Sequence, residues 1–142
     1  MHKRIVTLIF SFLILCTITA QEIDENYIKA NYNKIEVNIP MRDGIKLFTA
    51  IYTPKDISRS YPILLNRTPY TVAPYGEDSY KSSLGNFKEM AKEGYIFVYQ
   101  DVRGKWMSEG VFENVRPTKS PTDKKGIDES TDTYDTIEWL NK

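Results

Sequence analysis

The spacing of apolar and polar residues divides the chain into short β-like runs and helical stretches. Residues 34–40 alternate, with Ile35, Val37 and Ile39 on one side and Glu36 and Asn38 on the other. A period of two predicts a half-buried strand. Met41-Arg42-Asp43-Gly44 follows, and Asp-Gly is a strong hairpin signal because glycine accepts the positive φ of a tight turn. Residues 45–52 return as a second strand, β-branched and aromatic, which ends at Thr53-Pro54. After a polar connector over 55–60, the apolar run Ile63-Leu64-Leu65 stops abruptly at Asn66-Arg67. This predicts a buried strand over 62–65 with Pro69 and Tyr70 just beyond its carboxyl end.

A loop containing Pro74 and Gly76 leads to Asp78 or Ser79, either of which can cap a helix. Leu84, Phe87 and Ala91 then fall at helical spacing, and Gly94 is a stop signal, so a helix is predicted up to Glu93. Gly85 weakens it by about 1 kcal/mol relative to alanine. The run Tyr95-Ile96-Phe97-Val98-Tyr99-Gln100 is continuous and β-rich, as expected of a strand covered on both faces of a parallel sheet. It ends on Asp101-Val102-Arg103-Gly104. Residues 105–129 are polar and interrupted by Gly110, Pro117, Pro121 and Gly126, and connections this long are usually functional or disordered. Asp128, Glu129 and Asp132 favour the amino end of a closing helix, with Tyr134, Ile137 and Leu140 as its apolar stripe. Hairpin, strand, helix, strand, helix is the opening half of an α/β sheet. A crossover helix with no strand after it leaves a helix face and a sheet edge uncovered, so a fragment or a truncated product is expected.

The amino end changes this picture. His2-Lys3-Arg4 precedes an apolar stretch over 5–15, and the segment closes on Thr19-Ala20. That layout predicts a secretory signal peptide over 1–20, too short to span a membrane, followed by a mobile lead-in over 21–33 and a domain over 34–142. An exported protein, periplasmic or extracellular, is expected. The bulky Leu15 before Cys16 argues against lipidation. With Lys3 and Arg4 removed from the 19 basic residues, 17 remain against 19 acidic ones, a net charge of −2. No basic excess points to nucleic acid. The only cysteine, Cys16, and the only histidine, His2, leave as well. Disulfides, thiolate chemistry, Cys/His zinc sites and a complete Ser-His-Asp triad are thereby excluded from the mature chain.

Candidate chemistry gathers where the predicted strands end, because ligands of open α/β sheets bind beyond the carboxyl ends of the strands. Tyr70 is the leading candidate, and the alternative is an aromatic packed on a surface loop. Asp101 and Arg103 either line a pocket or form an ion pair that holds the loop, with Gly104 supplying a turn. Arg67 either lines the same pocket or braces the Tyr70 loop, and Trp106 either walls the substrate or packs. Asp132 and Asp135 have the spacing of paired acids, but helix-end electrostatics accounts for the first and solvent exposure for the second. Neither is assigned a catalytic role.

Met41-Arg42-Asp43-Gly44-Ile45-Lys46-Leu47 with Tyr52-Thr53-Pro54 is the first of several matching stretches. Arg67-Thr68-Pro69-Tyr70 follows, then Gln100-Asp101-Val102-Arg103-Gly104 with Ser108-Glu109-Gly110, then residues 132–140. In this order and spacing the chain resembles, over 34–142, the amino-terminal part of the cocaine esterase and X-Pro dipeptidyl-peptidase-like hydrolases. That group includes α-amino acid ester hydrolases and cephalosporin acylases. The resemblance implies an α/β-hydrolase fold that cleaves an ester or amide through a serine nucleophile. It further implies that Tyr70, by its place in the Arg-x-Pro-Tyr motif, donates to the oxyanion. The implied partner is a small-molecule or peptide acyl substrate of the full-length protein, with no cofactor. The chain departs from the pattern in lacking the Gly-x-Ser-x-x-Gly nucleophile turn, the acid and the histidine. On its own it is expected to be inactive, and the alternative is a noncatalytic secreted binding module on a truncated α/β scaffold.

Overall fold

The Asp43-Gly44 turn closes the hairpin on which the sheet is built. In the computed structural model, which describes residues 22–142, β1 (Tyr32–Pro40) and β2 (Lys46–Pro54) pair antiparallel from Tyr32 opposite Pro54 to Pro40 opposite Lys46. The segment read as a signal peptide lies outside the described residues. Across the turn, the Met41 N–H donates to the Ile45 carbonyl at 2.8 Å, and Gly44 takes a φ of 88°. β3 (Ile63–Thr68) and β4 (Ile96–Asp101) run parallel, with Ile63 opposite Ile96 and Thr68 opposite Asp101. β4 also pairs antiparallel with β2, giving one mixed sheet of order β1-β2-β4-β3.

Alternation along the strands divides the core between the two faces. Tyr32, Phe48, Tyr52 and Phe97 point to one face, packed with Ile28, Leu84 and Ala91. Ile39, Met41 and Leu47 gather on the other, with Trp139 against them. The fold is therefore α/β, with helical segments on both sides of a mixed sheet. β4 is central, as its continuous apolar run requires, but only β3 is parallel to it. The strand over 62–65, expected to be buried, is an edge strand that is only half-covered and runs on through Arg67 to Thr68. In β1 the expected apolar face is covered only toward Ile39, whereas Ile35 is exposed and Lys34 on the opposite face is buried. The Lys34 ammonium is satisfied by Glu36 and by the carbonyls of Pro74, Gly76 and Ser79, at 2.7–2.9 Å.

The helices depart further from the sequence pattern. In place of a mobile lead-in, α1 (Glu25–Asn31) is capped by Asp24, whose side chain accepts from the Tyr27 N–H at 2.8 Å, and it buries Ile28. Its apolar contact is narrow, the buried Ile28 with the half-buried Tyr27 beside it, too little to register as a period. The helix predicted to run to Glu93 shrinks to α2 (Lys88–Lys92). Gly85 is the reason: its φ is +67°, its N–H donates to the Tyr99 hydroxyl at 2.8 Å, and a Cβ there would stand 2.7 Å from the Phe97 ring. Leu84 is buried as a loop residue, and Phe87 is exposed. α3 (Glu129–Leu140) starts with a capping box in which Asp128 accepts from the Thr131 N–H at 2.8 Å and the Asp128 N–H donates to Thr131 Oγ1 at 2.9 Å. Its inward face is polar, made by Thr131, Asp132 and Thr136, while Tyr134 and Ile137 of the expected stripe are exposed.

Candidate active site

Tyr70 stands two residues beyond β3, where the edge strand turns away from the sheet. Its side chain is 79 % exposed, so packing does not hold it. Its backbone is held instead. The Tyr70 N–H donates to Thr68 Oγ1 at 3.0 Å, and the Trp106 indole N–H donates to the Pro69 carbonyl at 3.1 Å. Trp106 itself is exposed and takes a φ of +50°, an uncommon conformation for a non-glycine residue. The turns after β3 and β4 are therefore tied together at the carboxyl edge of the sheet.

Asp101 closes β4 and is fully buried. Its carboxylate accepts from the Val72 N–H at 3.2 Å, the Tyr75 hydroxyl at 2.9 Å and the Met107 N–H at 3.4 Å. Burial pushes its pKa above the ordinary aspartate value, and these donors oppose that rise. Asp101 does not pair with Arg103, contrary to the simplest reading of an Asp-x-Arg-Gly motif. Residues two apart share a side only while the backbone stays extended, and the strand ends at Asp101, so Arg103 is turned away toward Asp132.

Arg103 turns instead to two acids distant in sequence. Its Nη2 and Nε donate to Asp132 at 2.6 and 3.0 Å, and Nη1 donates to Asp43 at 2.7 Å. The hydrogen bonds with Asp132, and secondarily those with Asp43, raise the guanidinium pKa against the effect of burial. For Asp43, burial disfavours ionisation, but the hydrogen bonds and charge of Arg103 outweigh it and hold the carboxyl below its usual range. Asp135 is not a free solvent acid: it accepts from the Arg42 backbone N–H at 2.8 Å and from the Arg42 guanidinium. The hairpin turn is thus stapled to α3 through two consecutive residues, Arg42 directly to Asp135 and Asp43 by way of Arg103 to Asp132.

Arg67 lies on the same face of the sheet as α3. Nε donates to Gln100 Oε1 at 2.7 Å, and Nη1 donates to the Glu129 carbonyl, the Glu129 carboxylate and Thr133 Oγ1 at 2.8–3.0 Å. Its buried Nη2 has no hydrogen-bond partner among the described residues, with Asp132 Oδ2 at 3.7 Å. Arg67 and Arg103 thus lie in the layer between sheet and helix, and Tyr70 and Asp101 lie at the strand ends. A cleft of about 200 Å³ opens beside β3, lined by residues that include Leu64, Asn66, Phe87 and Tyr99, but Tyr70 is not among its walls. Among the described residues, no group of three or more His, Cys, Asp or Glu side chains is placed to hold a metal ion, and no helix is long and apolar enough to cross a membrane.

Sequence reasoning missed the partners of Arg103 and the role of Asp101 in joining the two loops. One signal was available. Asp128, Asp132 and Asp135 fall at positions i, i+4 and i+7, the spacing of a single helix face, and that face carries polar rather than apolar contacts.

Comparison with known proteins bears on the family and the fold. The family model of the X-Pro dipeptidyl-peptidase (S15 family) matches residues 43–142. Cocaine esterase from Rhodococcus sp. (strain MB1 Bresler) is 32% identical over 118 residues, which cover 83% of this chain and 17% of that protein. Among solved structures, an aminopeptidase from the marine sediment archaeon Thaumarchaeota archaeon is 40% identical with a TM-score of 0.63, over 78% of this chain and 19% of that one. A selenomethionine-labelled α-amino acid ester hydrolase is 39% identical with a TM-score of 0.66, over 90% of this chain and 22% of that one. The chain therefore spans between 17% and 22% of the length of these relatives. With the match running from the hairpin turn through α3, the chain belongs to the X-Pro dipeptidyl-peptidase (S15) family and has the α/β architecture of its hydrolase relatives.

Proposed function

We propose that this chain is the amino-terminal part of an exported serine hydrolase that cleaves acyl bonds, ester or amide, and that Tyr70 is a donor to its oxyanion. The observation that carries this reading is the placement of Tyr70. It has an exposed phenol on a restrained backbone at the carboxyl edge of the sheet, directly after the Arg67-Thr68-Pro69 motif. When a serine oxygen attacks an acyl carbon, negative charge grows on the carbonyl oxygen. A phenolic O–H aimed at that oxygen binds it more tightly as the charge develops, which lowers the barrier without tightening ground-state binding. Residues 21–142 contain no imidazole, so this reading takes the catalytic histidine from parts of the protein beyond this chain, and assigns the nucleophile and its acid there with it. The substrate is a small-molecule or peptide acyl compound.

The test is hydrolysis of a chromogenic ester by the full-length protein. Tyr70→Phe should lower kcat by about 10²–10³-fold, the usual cost of one oxyanion donor, with KM nearly unchanged and the fold intact. A variant that retains wild-type kcat would overturn the assignment. Residues 21–142 alone should not turn the ester over, and turnover sensitive to Tyr70→Phe would show that the nucleophile lies within them. Export is checked by amino-terminal sequencing of the secreted product, which should begin at Gln21.

A further inference from the structure

An oxyanion donor works only if it is already in place when the charge forms, and the exposed side chain of Tyr70 is not held by its own packing. Its position comes from the residues on either side, and both sides lead back to one carboxylate. On the carboxyl side, the Val72 N–H donates to Asp101 Oδ1, and Tyr75 reaches Oδ2 of the same group. On the amino side, the Pro69 carbonyl is held by Trp106. The next residue, Met107, donates its N–H to Asp101 Oδ2. The Asp101 main chain adds to this. Its carbonyl accepts from Ser108 Oγ at 2.6 Å, and the following N–H, of Val102, donates to the Thr68 carbonyl at 3.1 Å.

We infer that Asp101 is a positioning residue for Tyr70, its buried carboxylate fixing the segments over 71–75 and 106–108 that hold the Tyr70 turn from both sides. The inference rests on the oxyanion role proposed above for Tyr70. A carboxylate is suited to this task because it is an acceptor at every lone pair, so donors arriving from two loops can converge on it. An amide in its place presents N–H hydrogens to one of those loops. No lysine or arginine lies within ion-pair distance of Asp101 among the described residues, so its buried charge depends on these three donors. The charge of Lys81, whose Nζ donates to the Ala73 carbonyl at 2.6 Å within the same loop, adds a weaker attraction. Burial, and secondarily the charge of Lys34 on β1, lowers the pKa of Lys81.

The test is a double-mutant cycle in the full-length protein, with hydrogen–deuterium exchange as the structural readout. Asp101→Asn should speed amide exchange at Val72 or Met107 about tenfold or more, while amides of the β1–β2 hairpin keep their rates. It should lower kcat about tenfold with KM unchanged. In a Tyr70→Phe background the same substitution should cost less than about twofold, because a residue that acts through Tyr70 has nothing left to position. An equal loss in both backgrounds would show that Asp101 acts independently of Tyr70 and would overturn the inference, as would unchanged exchange at both amides. If Tyr70→Phe lowers kcat and Asp101→Asn does not, only the positioning role fails. If Tyr70→Phe is itself silent, the oxyanion reading fails and the inference fails with it. Where Asp101→Asn does not fold, Tyr75→Phe carries the same cycle. It removes one donor from the carboxylate, and a kcat loss that disappears in the Tyr70→Phe background supports the inference, while one that persists overturns it.

Discussion

Arg103 and Asp132 meet through two hydrogen bonds, Nη2 to Oδ1 at 2.6 Å and Nε to Oδ2 at 3.0 Å, with both side chains almost wholly buried. The remaining edge of the same guanidinium grips Asp43, 60 residues back in the hairpin turn. One side chain therefore ties the turn after β1, the end of β4 and the first turn of α3. An apolar core does not set how a helix is rotated over a sheet as tightly as forked charge pairs do, and α3 brings mostly polar side chains to its buried face. Its rotation is fixed by where Asp132 and Asp135 find their arginines.

Replacing Arg103 should therefore cost far more than the net value of the pairs it makes. Arg103→Met strips the buried carboxylate of Asp132 of both its guanidinium hydrogen bonds and leaves it only Arg67 Nη2 at 3.7 Å, and removing one member of a buried pair costs about 3–5 kcal/mol. Arg103→Lys should recover only part of that, because an ammonium cannot fork to two carboxylates in one plane. Urea unfolding midpoints of the two variants check both statements. A loss below about 1 kcal/mol for Arg103→Met would mean that the network adds little to holding α3.

Two glycines separate backbone strain from crowding. Gly44 and Gly104 have φ angles of +88° and +68°, but a Cβ on Gly44 would meet nothing within 4 Å, whereas on Gly104 it would stand 2.1 Å from the Phe112 backbone nitrogen. Gly44→Ala should cost about 1–2 kcal/mol, the ordinary penalty for an L-residue in the left-handed region. Gly104→Ala carries the same penalty and must also move the backbone at Val111 and Phe112, so its melting temperature should fall clearly further. Equal losses at the two sites would show that the 110–112 segment yields freely.

The parts of the fold that were legible in the sequence are those written in local signals. The hairpin follows from a two-residue period and an Asp-Gly turn, and β4 from an unbroken β-rich run. The end of β3, where the candidate site is placed, was legible because Leu65 gives way abruptly to Asn66 and Arg67, followed by Pro69 and Tyr70. The errors came where a distant contact overrode local preference. Leu84, Phe87 and Ala91 have helical spacing, yet Gly85 is committed to the rings of Phe97 and Tyr99, and only the last turn winds into a helix. The apolar stripe of α3 misled for a related reason: the helix is seated on the sheet by Asp132 and Thr136, the latter in hydrogen-bonding contact with Gln100. Arg103 could not be paired from sequence because its partners are 60 and 29 residues away.

Acid should loosen the seat of α3 first, and the sign follows from which way each carboxyl has moved. Asp128 is held below its ordinary value by backbone donors from Lys119 and Thr131, and Asp135 by the Arg42 guanidinium. A carboxyl whose pKa is depressed in the fold stabilises it above the unfolded value, and that contribution is lost as pH falls through the folded value. Asp101 runs the other way. Its raised pKa means that the folded state takes up a proton before the unfolded state does, so its contribution to stability grows as pH falls through that window toward the ordinary aspartate value. Unfolding free energies measured from neutral pH down to about pH 3 should therefore show a shallower acid slope for Asp128→Asn, which keeps a capping oxygen but has no proton to gain. They should show a steeper slope for Asp101→Asn, which removes the opposing group. Parallel slopes for wild type and both variants would mean that neither carboxyl titrates differently in the folded chain.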